Sequence, residues 1–242
     1  MDELTDSSGL LGDRRQLSAV AAESGYLFLR QFLAPQLVLG LRNRVLKLCA
    51  EFGWLDPGAP VDAAIPAAGV SLGAYDAPWV ALQQRLLITE EFTAVAHDPS
   101  LLDLMQVVIG GPVEWDCGNT CRLMSPHAPQ HTTPPHQDAY YVRGTTKLWT
   151  AWVPLGDCPA ELGGLAVVAG SHRAGLLDHR GQPPGAAVDD HGEFRWATVD
   201  YRVGDVLIFS GLTLHRALVN QSRQLRISAD FRYQRRRQEV GR

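Results

Sequence analysis

The chain is short of cysteine, has no long apolar run and carries no excess of positive charge, and each lack removes a class of function. Its four cysteines, Cys49, Cys117, Cys121 and Cys158, are scattered, with no Cys-x-x-Cys pair. That usage favours a reducing compartment and thiols acting as small buried hydrophobes. Cys117 and Cys121 lack the matching second pair that a shared metal needs. No stretch approaches the roughly 20 apolar residues of a membrane-spanning helix. The opening Met1-Asp2-Glu3-Leu4-Thr5-Asp6 is acidic and polar, opposite in character to a signal or transit peptide, so a cytoplasmic location is expected. Lys and Arg total 22 against 26 Asp and Glu, and the one dense basic cluster, Arg235-Arg236-Arg237, reads as a solvated end. Neither nucleic acid nor a membrane is expected as a partner, and oligomeric state stays open. A His-Glu-x-x-His helix, the mark of many zinc proteases, is absent as well.

What remains is an ordinary globular composition, 45% apolar and 20% charged over 242 residues. That length suits one substantial core, and a single domain over 1–242 is expected, with flexible ends at 1–15 and 235–242. The first half reads as helices: a short one around Gln16–Glu23, one opened by Pro35, one over Trp79–Phe92, and one from Pro99 stopped by Gly110-Gly111-Pro112. Gly25–Arg30 reads as the first strand. The stripe Leu37, Leu41, Val45 and Leu48 is core packing. After Gly111 the texture changes to short β-type runs: Val113–Met124, Lys147–Pro154, Leu165–Val168, Val206–Phe209, Thr213–Val219 and Leu225–Tyr233. Such runs without helices between them argue an antiparallel barrel or sandwich, with the earlier helices packed against it.

Within this second half, His136-Gln137-Asp138 follows a double proline. An imidazole and a carboxylate at i and i+2 of an extended segment point to one side and can grip one metal ion, while Gln137 faces away. The motif alone arises often by chance. Of the other histidines, His97, His127, His131, His179 and His191 read as solvated loop residues and His172 as part of a turn. His215 differs, standing in the apolar strand Thr213-Leu214-His215-Arg216-Ala217-Leu218. A tight hairpin at Asn220-Gln221 would set His215 directly opposite Arg226, on the same face. A guanidinium in the apolar run Leu225-Arg226-Ile227-Ser228-Ala229 needs an anion, and its planar fork suits a carboxylate; Ser228, at i+2, can add a hydroxyl donor. Two imidazoles and one carboxylate form the facial triad of non-haem Fe(II) oxygenases, which leaves three coordination positions open. A 2-oxo acid fills two of them and dioxygen the third. A zinc hydrolase can use the same ligands but has no need of the arginine.

Taken in order, His136-Gln137-Asp138, Trp149–Leu155, Leu162–His172 and His215 followed by Arg226 resemble the phytanoyl-CoA dioxygenase family over about residues 20 to 234. The resemblance implies a double-stranded β-helix, and an enzyme using Fe(II), 2-oxoglutarate and O2. It implies His136, Asp138 and His215 as iron ligands and Arg226 as partner of the 2-oxoglutarate carboxylate. It also implies Trp149 as a tryptophan lining the cosubstrate pocket. Some relatives place a cosubstrate-touching Thr where Leu165 stands, so that contact is absent. Halogenating relatives lack the metal-binding carboxylate, and Asp138 disfavours that outcome. The reaction implied couples decarboxylation of 2-oxoglutarate to attack on a substrate C–H bond. Hydroxylation of a small molecule is expected, with bacterial secondary-metabolite tailoring as its setting. Epimerisation, carbocyclisation or desaturation on the same iron site, and a non-catalytic metal-binding barrel, are the alternatives. Expected pocket walls are the loop Gly53–Pro78, Tyr140, Tyr141, Arg143 and the insertion Leu176–Trp196; no basic cluster suits the phosphates of coenzyme A.

Overall fold

Caps written into the sequence set the helices of the first half. In the computed structural model, which describes residues 1–73, 76–115, 118–142, 145, 147–181 and 185–236, β1 (Asp2–Glu3) precedes α1 (Arg14–Ser24). Asp13 caps α1 by accepting from the Gln16 N–H, and Gly25 ends it in the left-handed region at φ 76°. A side chain at Gly25 would put its Cβ 2.3 Å from His172 Nδ1, so both backbone and space demand glycine. β2 (Tyr26–Leu29) follows, then α2 (Pro35–Glu51) with proline in its first turn. The helix expected over Trp79–Phe92 is two, α3 (Ala77–Leu86) and α4 (Glu90–Ala96). The break comes at Thr89, whose hydroxyl accepts from the Phe92 N–H and starts a new helix. α5 (Pro99–Ile109) is capped by Asp98 and ends at Gly110.

The strands then come in quick succession. The run expected over Val113–Met124 divides into β3 (Val113–Trp115) and β4 (Thr120–Met124). After the one-turn α6 (Asp138–Tyr141) come β5 (Trp149–Pro154), β6 (Leu165–Val168), β7 (Trp196–Thr198), β8 (Val206–Ser210), β9 (His215–Ala217) and β10 (Arg226–Arg235). A large sheet runs β2-β8-β5-β10-β3 with β4 also on β10, and a smaller one runs β1-β7-β6-β9. β7 lies at the end of the insertion and has too few residues to show as a strand in the sequence.

The large sheet has a sharp division of labour between its faces. Leu27, Leu29, Ala151, Val153, Val206, Ile208, Ile227, Ala229, Phe231 and Tyr233 join the helices in one apolar core. Their alternate neighbours Tyr26, Phe28, Trp152, Leu207 and Phe209 pack against Leu165, Val167 and Ala197 of the small sheet. Odd-numbered residues of β5 and β10 therefore face the helices, and even-numbered ones face the interior between the sheets. In β10 the even positions Arg226, Ser228, Asp230 and Arg232 are all buried, and only Gln234 at the strand's end is partly exposed. A one-residue slip would drive four polar groups into the helical core, which pins the register.

The architecture is the expected mainly-β double-stranded barrel with N-terminal helices on one sheet. Three further details differ from expectation. The lead-in 1–15 is tied down: β1 pairs β7 in parallel, Leu4 is buried, and the Ser7 N–H donates to the Phe28 carbonyl. At the other end Arg235 closes β10 and the Arg236 N–H bonds the Pro112 carbonyl, while 237–242 lie outside the described residues. Third, β9 and β10 do not form a hairpin. β9 pairs β6, β10 pairs β4 and β5, and the connection is bent by Asn220, whose amide donates to the Met124 and Gln224 carbonyls. No helix among the described residues is long and apolar enough to cross a membrane.

Candidate active site

His136 and His215 face each other as an isolated antiparallel bridge, each donating its N–H to the other's carbonyl, at 2.9 and 3.0 Å. That pairing sets their rings side by side, centroids 4.1 Å apart. The His136 Nδ1 lies 2.8 Å from the Pro134 carbonyl and the His215 Nδ1 2.9 Å from the Thr213 carbonyl. A carbonyl only accepts, so each Nδ1 carries a proton and each Nε2 is the ring nitrogen left facing Asp138. Gln137 is extended (φ −119°, ψ 129°), so alternation carries the chain back toward the histidines at Asp138, which opens α6 rather than continuing a strand. The Asp138 Oδ1 stands 3.7 Å from His136 Nε2 and 3.8 Å from His215 Nε2. All three residues are buried, and their ligand atoms lie within 4.8 Å of one another, a spacing able to hold a metal ion.

The charge states suit a cation. Burial pushes the His215 imidazole down to about 3, helped by neighbouring His136, so it stands neutral. Burial alone would raise the Asp138 carboxyl, but Arg232 beside it, with His136 and His215, holds it well below the usual range. Gln137 does face away, yet not toward water. Its amide donates to the Gly175 and Leu212 carbonyls and its Oε1 accepts from the Leu177 N–H, strapping the insertion to the His136–Asp138 segment.

Arg226 lies on the inner wall across from the histidines. It does not pair with His215 through a hairpin, since the two sit on different sheets; both instead line one narrow cleft with His136, Trp152, Leu165, Phe209 and Arg122. Arg226 is 1% exposed. Its Nη1 donates to Ser228 Oγ at 2.6 Å, as the i, i+2 spacing anticipates, while Nε and Nη2 have no partner among the described residues. Burial pulls its pKa down, the mark of a desolvated cation awaiting an anion. Trp149 is displaced from its expected place. Being odd-numbered in β5, it packs on the helical core, and the tryptophan inside is Trp152, fully buried, with its indole N–H unpaired and the Arg226 guanidinium 5.9 Å from its ring.

A second cavity of about 510 Å³ opens over His136 and Asp138. Its walls include Trp79, Gln83 and Leu87 from α3, the segment Gln130–Pro134, and Tyr141, Val142 and Gly185. Of the expected walls, Tyr141 and the insertion contribute. Tyr140 instead stacks on His179, and no described residue of the Gly53–Pro78 loop takes part, because that loop folds onto the core through Trp54, Leu55, Ala64 and Leu72. Arg143 lies outside the described residues. Two histidines read as solvated are otherwise placed: His131 lines this cavity, and His179 is buried, accepting the Gln137 N–H at 3.1 Å.

Sequence reasoning also missed Arg232. Its Nε and Nη2 grip both oxygens of Asp138, at 2.9 and 3.0 Å, and the Thr150 hydroxyl adds a third bond at 2.6 Å. The signal was available once β5 was paired with β10, because Arg232 then lies directly opposite Thr150.

Two imidazoles and one carboxylate converge as a set able to hold a metal, and the buried donors beside them, without a partner among the described residues, suit an acidic cosubstrate. On a double-stranded β-helix, that pairing defines the class of non-haem iron oxygenases driven by a 2-oxo acid. The chain matches the phytanoyl-CoA dioxygenase family over residues 21–228 and belongs to it, as an Fe(II)- and 2-oxoglutarate-dependent oxygenase. It is 29% identical over 254 residues to the 1-deoxypentalenic acid 11-beta-hydroxylase of Streptomyces arenae, covering 96% of this chain and 85% of that protein. The epimerase SnoN, in complex with Fe3+, alpha ketoglutarate and nogalamycin RO, superposes with a TM-score of 0.68 at 22% identity, over 93% of this chain and 84% of its own. The carbocyclase SnoK, also from nogalamycin biosynthesis, gives 0.64 at 20% identity, over 91% and 83%.

Proposed function

We propose that His136, Asp138 and His215 hold the iron, that Arg226 with Ser228 and Trp152 binds the far carboxylate of 2-oxoglutarate, and that the enzyme hydroxylates a C–H bond of a small secondary metabolite. The observation that carries this reading is the set of unpaired buried donors, Arg226 Nε and Nη2 and Trp152 Nε1, on the cleft shared with both histidines. Leaving a buried donor unmatched costs about 1–3 kcal/mol each, which a fold retains where a ligand offsets it. When bound, iron with 2-oxoglutarate and dioxygen supplies the oxidising power for C–H cleavage.

The chain's own part is arrangement. Each histidine is fixed by a backbone carbonyl and presents one lone pair. Asp138 presents Oδ1 beside those two nitrogens. Arg226 and Ser228 would anchor the cosubstrate's remote end, which leaves its oxo-acid end directed at the metal. Entry of a five-carbon diacid requires the lining side chains to swing aside, because the inner cleft measures about 10 Å³. The outer cavity would hold the molecule being oxidised, over the metal and between α3 and Tyr141, with water displaced by Trp79, Leu87, Pro134 and Val142. The name of the Streptomyces arenae relative supports hydroxylation, and it names an acid, 1-deoxypentalenic acid, as what that protein acts on.

Succinate release from 2-oxoglutarate under Fe(II) and O2 tests the reading, with product mass assigning the outcome. A gain of one oxygen supports hydroxylation; an unchanged mass points to epimerisation, and a product lighter by two hydrogens to ring closure or desaturation. A barrel that binds metal and releases no succinate would be non-catalytic. The two tryptophans give a sharper test. Trp152→Phe removes a donor to a charged acceptor, a contact worth about 1.5–3 kcal/mol, so KM for 2-oxoglutarate should rise roughly ten- to a hundredfold. Trp149→Phe should leave that KM unchanged, since its ring packs on the helical side. Equal effects from the two would remove Trp152 from the cosubstrate site.

A further inference from the structure

The metal carboxylate is held on the side away from the histidines by more donors than a lone structural contact needs. Asp138 Oδ2 accepts from the Thr150 hydroxyl at 2.6 Å and from Arg232 Nε at 2.9 Å. Oδ1 accepts from Arg232 Nη2 at 3.0 Å and is the oxygen nearest both histidine Nε2 atoms. The guanidinium is itself fixed. Its Nη1 donates to the Gly118 carbonyl, its Nη2 reaches Asp230 Oδ2 at 3.2 Å, and its backbone N–H donates to Asn119 Oδ1 at 2.7 Å. Asp230 is anchored in turn by Arg122 Nε at 2.8 Å. The donors come from a directly opposed pair, Thr150 of β5 and Arg232 of β10, both facing the interior.

We infer that Arg232, seconded by Thr150, is a positioning residue that makes Asp138 a one-oxygen ligand. The inference rests on reading His136, Asp138 and His215 as the metal site. A carboxylate left free can close on a metal through both oxygens. Here Oδ2 has two donors on it, one from a planar charged fork, so turning it toward a cation means breaking both bonds in a buried site. The consequence is a count of open positions. Two histidines and one oxygen leave three of six, enough for a 2-oxo acid chelated through two atoms and for dioxygen. A two-oxygen carboxylate would leave two, and the oxo acid alone would fill them.

The test reads the metal shell directly, without turnover. Mn(II) is bound to the wild type and to the Arg232→Ala and Thr150→Val variants, and inner-sphere waters are counted by water-proton relaxation. Wild type should show three. Arg232→Ala should still bind Mn(II), weakened about ten- to a hundredfold as for loss of an outer-shell partner, but with two waters and a similar fall in succinate release. Because Arg232 lines the outer cavity, added guanidinium at millimolar concentration should restore both. Thr150→Val, which removes one of the two Oδ2 donors, should fall between. Arg232→Lys offers a single nitrogen in place of the planar fork and should not restore the count; it also carries the test should the alanine variant fail to fold. Three waters in every folded variant, or complete loss of Mn(II) from them, would overturn the inference. Absence of a Mn(II) site in the wild type would instead overturn the metal assignment.

Discussion

Arg226→Met should make the cosubstrate-free protein more stable and at the same time abolish its use of 2-oxoglutarate. The native arginine is buried at 1% exposure, with two of its three nitrogens unpaired. Its hydration was removed on folding, and Ser228 returns one hydrogen bond. Methionine is unbranched, close in length, and can follow the same path past Trp152 without a charge to desolvate. Replacing poorly compensated buried charge by apolar volume is often stabilising. After the lost Ser228 bond is deducted, a gain of roughly 1–2 kcal/mol is expected. For a chain of this size that moves Tm up by about 2–8 °C.

Cosubstrate binding should go the other way. A carboxylate buried without its cationic partner loses about 3–5 kcal/mol, so affinity for 2-oxoglutarate should fall roughly a hundred- to several-thousandfold. The two curves therefore cross. Ligand at a hundred times its Kd stabilises the wild type by about 2.7 kcal/mol and should leave the variant unmoved. Thermal unfolding with and without 2-oxoglutarate, in Mn(II)-loaded protein kept free of oxygen, measures both effects. A variant less stable than wild type when ligand-free, yet still stabilised by 2-oxoglutarate, would show that Arg226 is a structural residue. The expected pattern is a stability–function trade written at one side chain.

Much of this was legible because local rules and tertiary packing agree. Proline and glycine bracket the helices where they should, and the apolar run Val206–Phe209 is a strand buried on both faces. The approach of Asp138 to His136 was legible for a similar reason: Gln137 is extended, so the two-residue period carries Asp138 back to the side of His136. What failed was long-range. Placing Arg226 near His215 was correct, but the hairpin invoked for it was not, because Asn220 turns the chain from the small sheet to the large one. Two routes lead to the same cleft, and sequence spacing cannot separate them. Trp149 failed by three residues. A strand's parity is invisible until one face is anchored, and the anchor is Thr150, which touches Asp138 and so assigns the even face to the interior. Arg232 was unreadable for the opposite reason. It lies in a polar-looking tail, Phe231-Arg232-Tyr233-Gln234-Arg235, whose alternation is that of a half-exposed edge. Only the pairing with β5 reveals that its even positions line the barrel.

Loss of the metal is an effect of similar size, and His215→Ala is the cleanest way to obtain it. The bridge between residues 136 and 215 is made by backbone groups, so alanine preserves it and the strand keeps its place. The Asp138 clamp is built from β5 and β10, away from β9, and also survives. The variant thus removes one ligand without moving the other two. Four-ligand zinc sites bind with about 10–16 kcal/mol, or roughly 3 kcal/mol per ligand, so metal affinity should fall about a hundred- to a thousandfold. Succinate release should fall at least as far at micromolar Fe(II). His136→Ala should behave alike, since both rings meet Asp138 Oδ1 at nearly equal distance, 3.7 against 3.8 Å. Mn(II) titration followed by calorimetry, with circular dichroism to confirm the fold, decides it. If either alanine variant stays folded and binds Mn(II) within a few-fold of wild type, that histidine is not a ligand. If both variants do, the metal lies elsewhere. The outcome is also informative about folding: a variant that loses metal yet melts close to the wild-type apoprotein shows that the barrel forms first. The ion is then recruited to a site already in place, as the backbone bridge and the Asp138 clamp require.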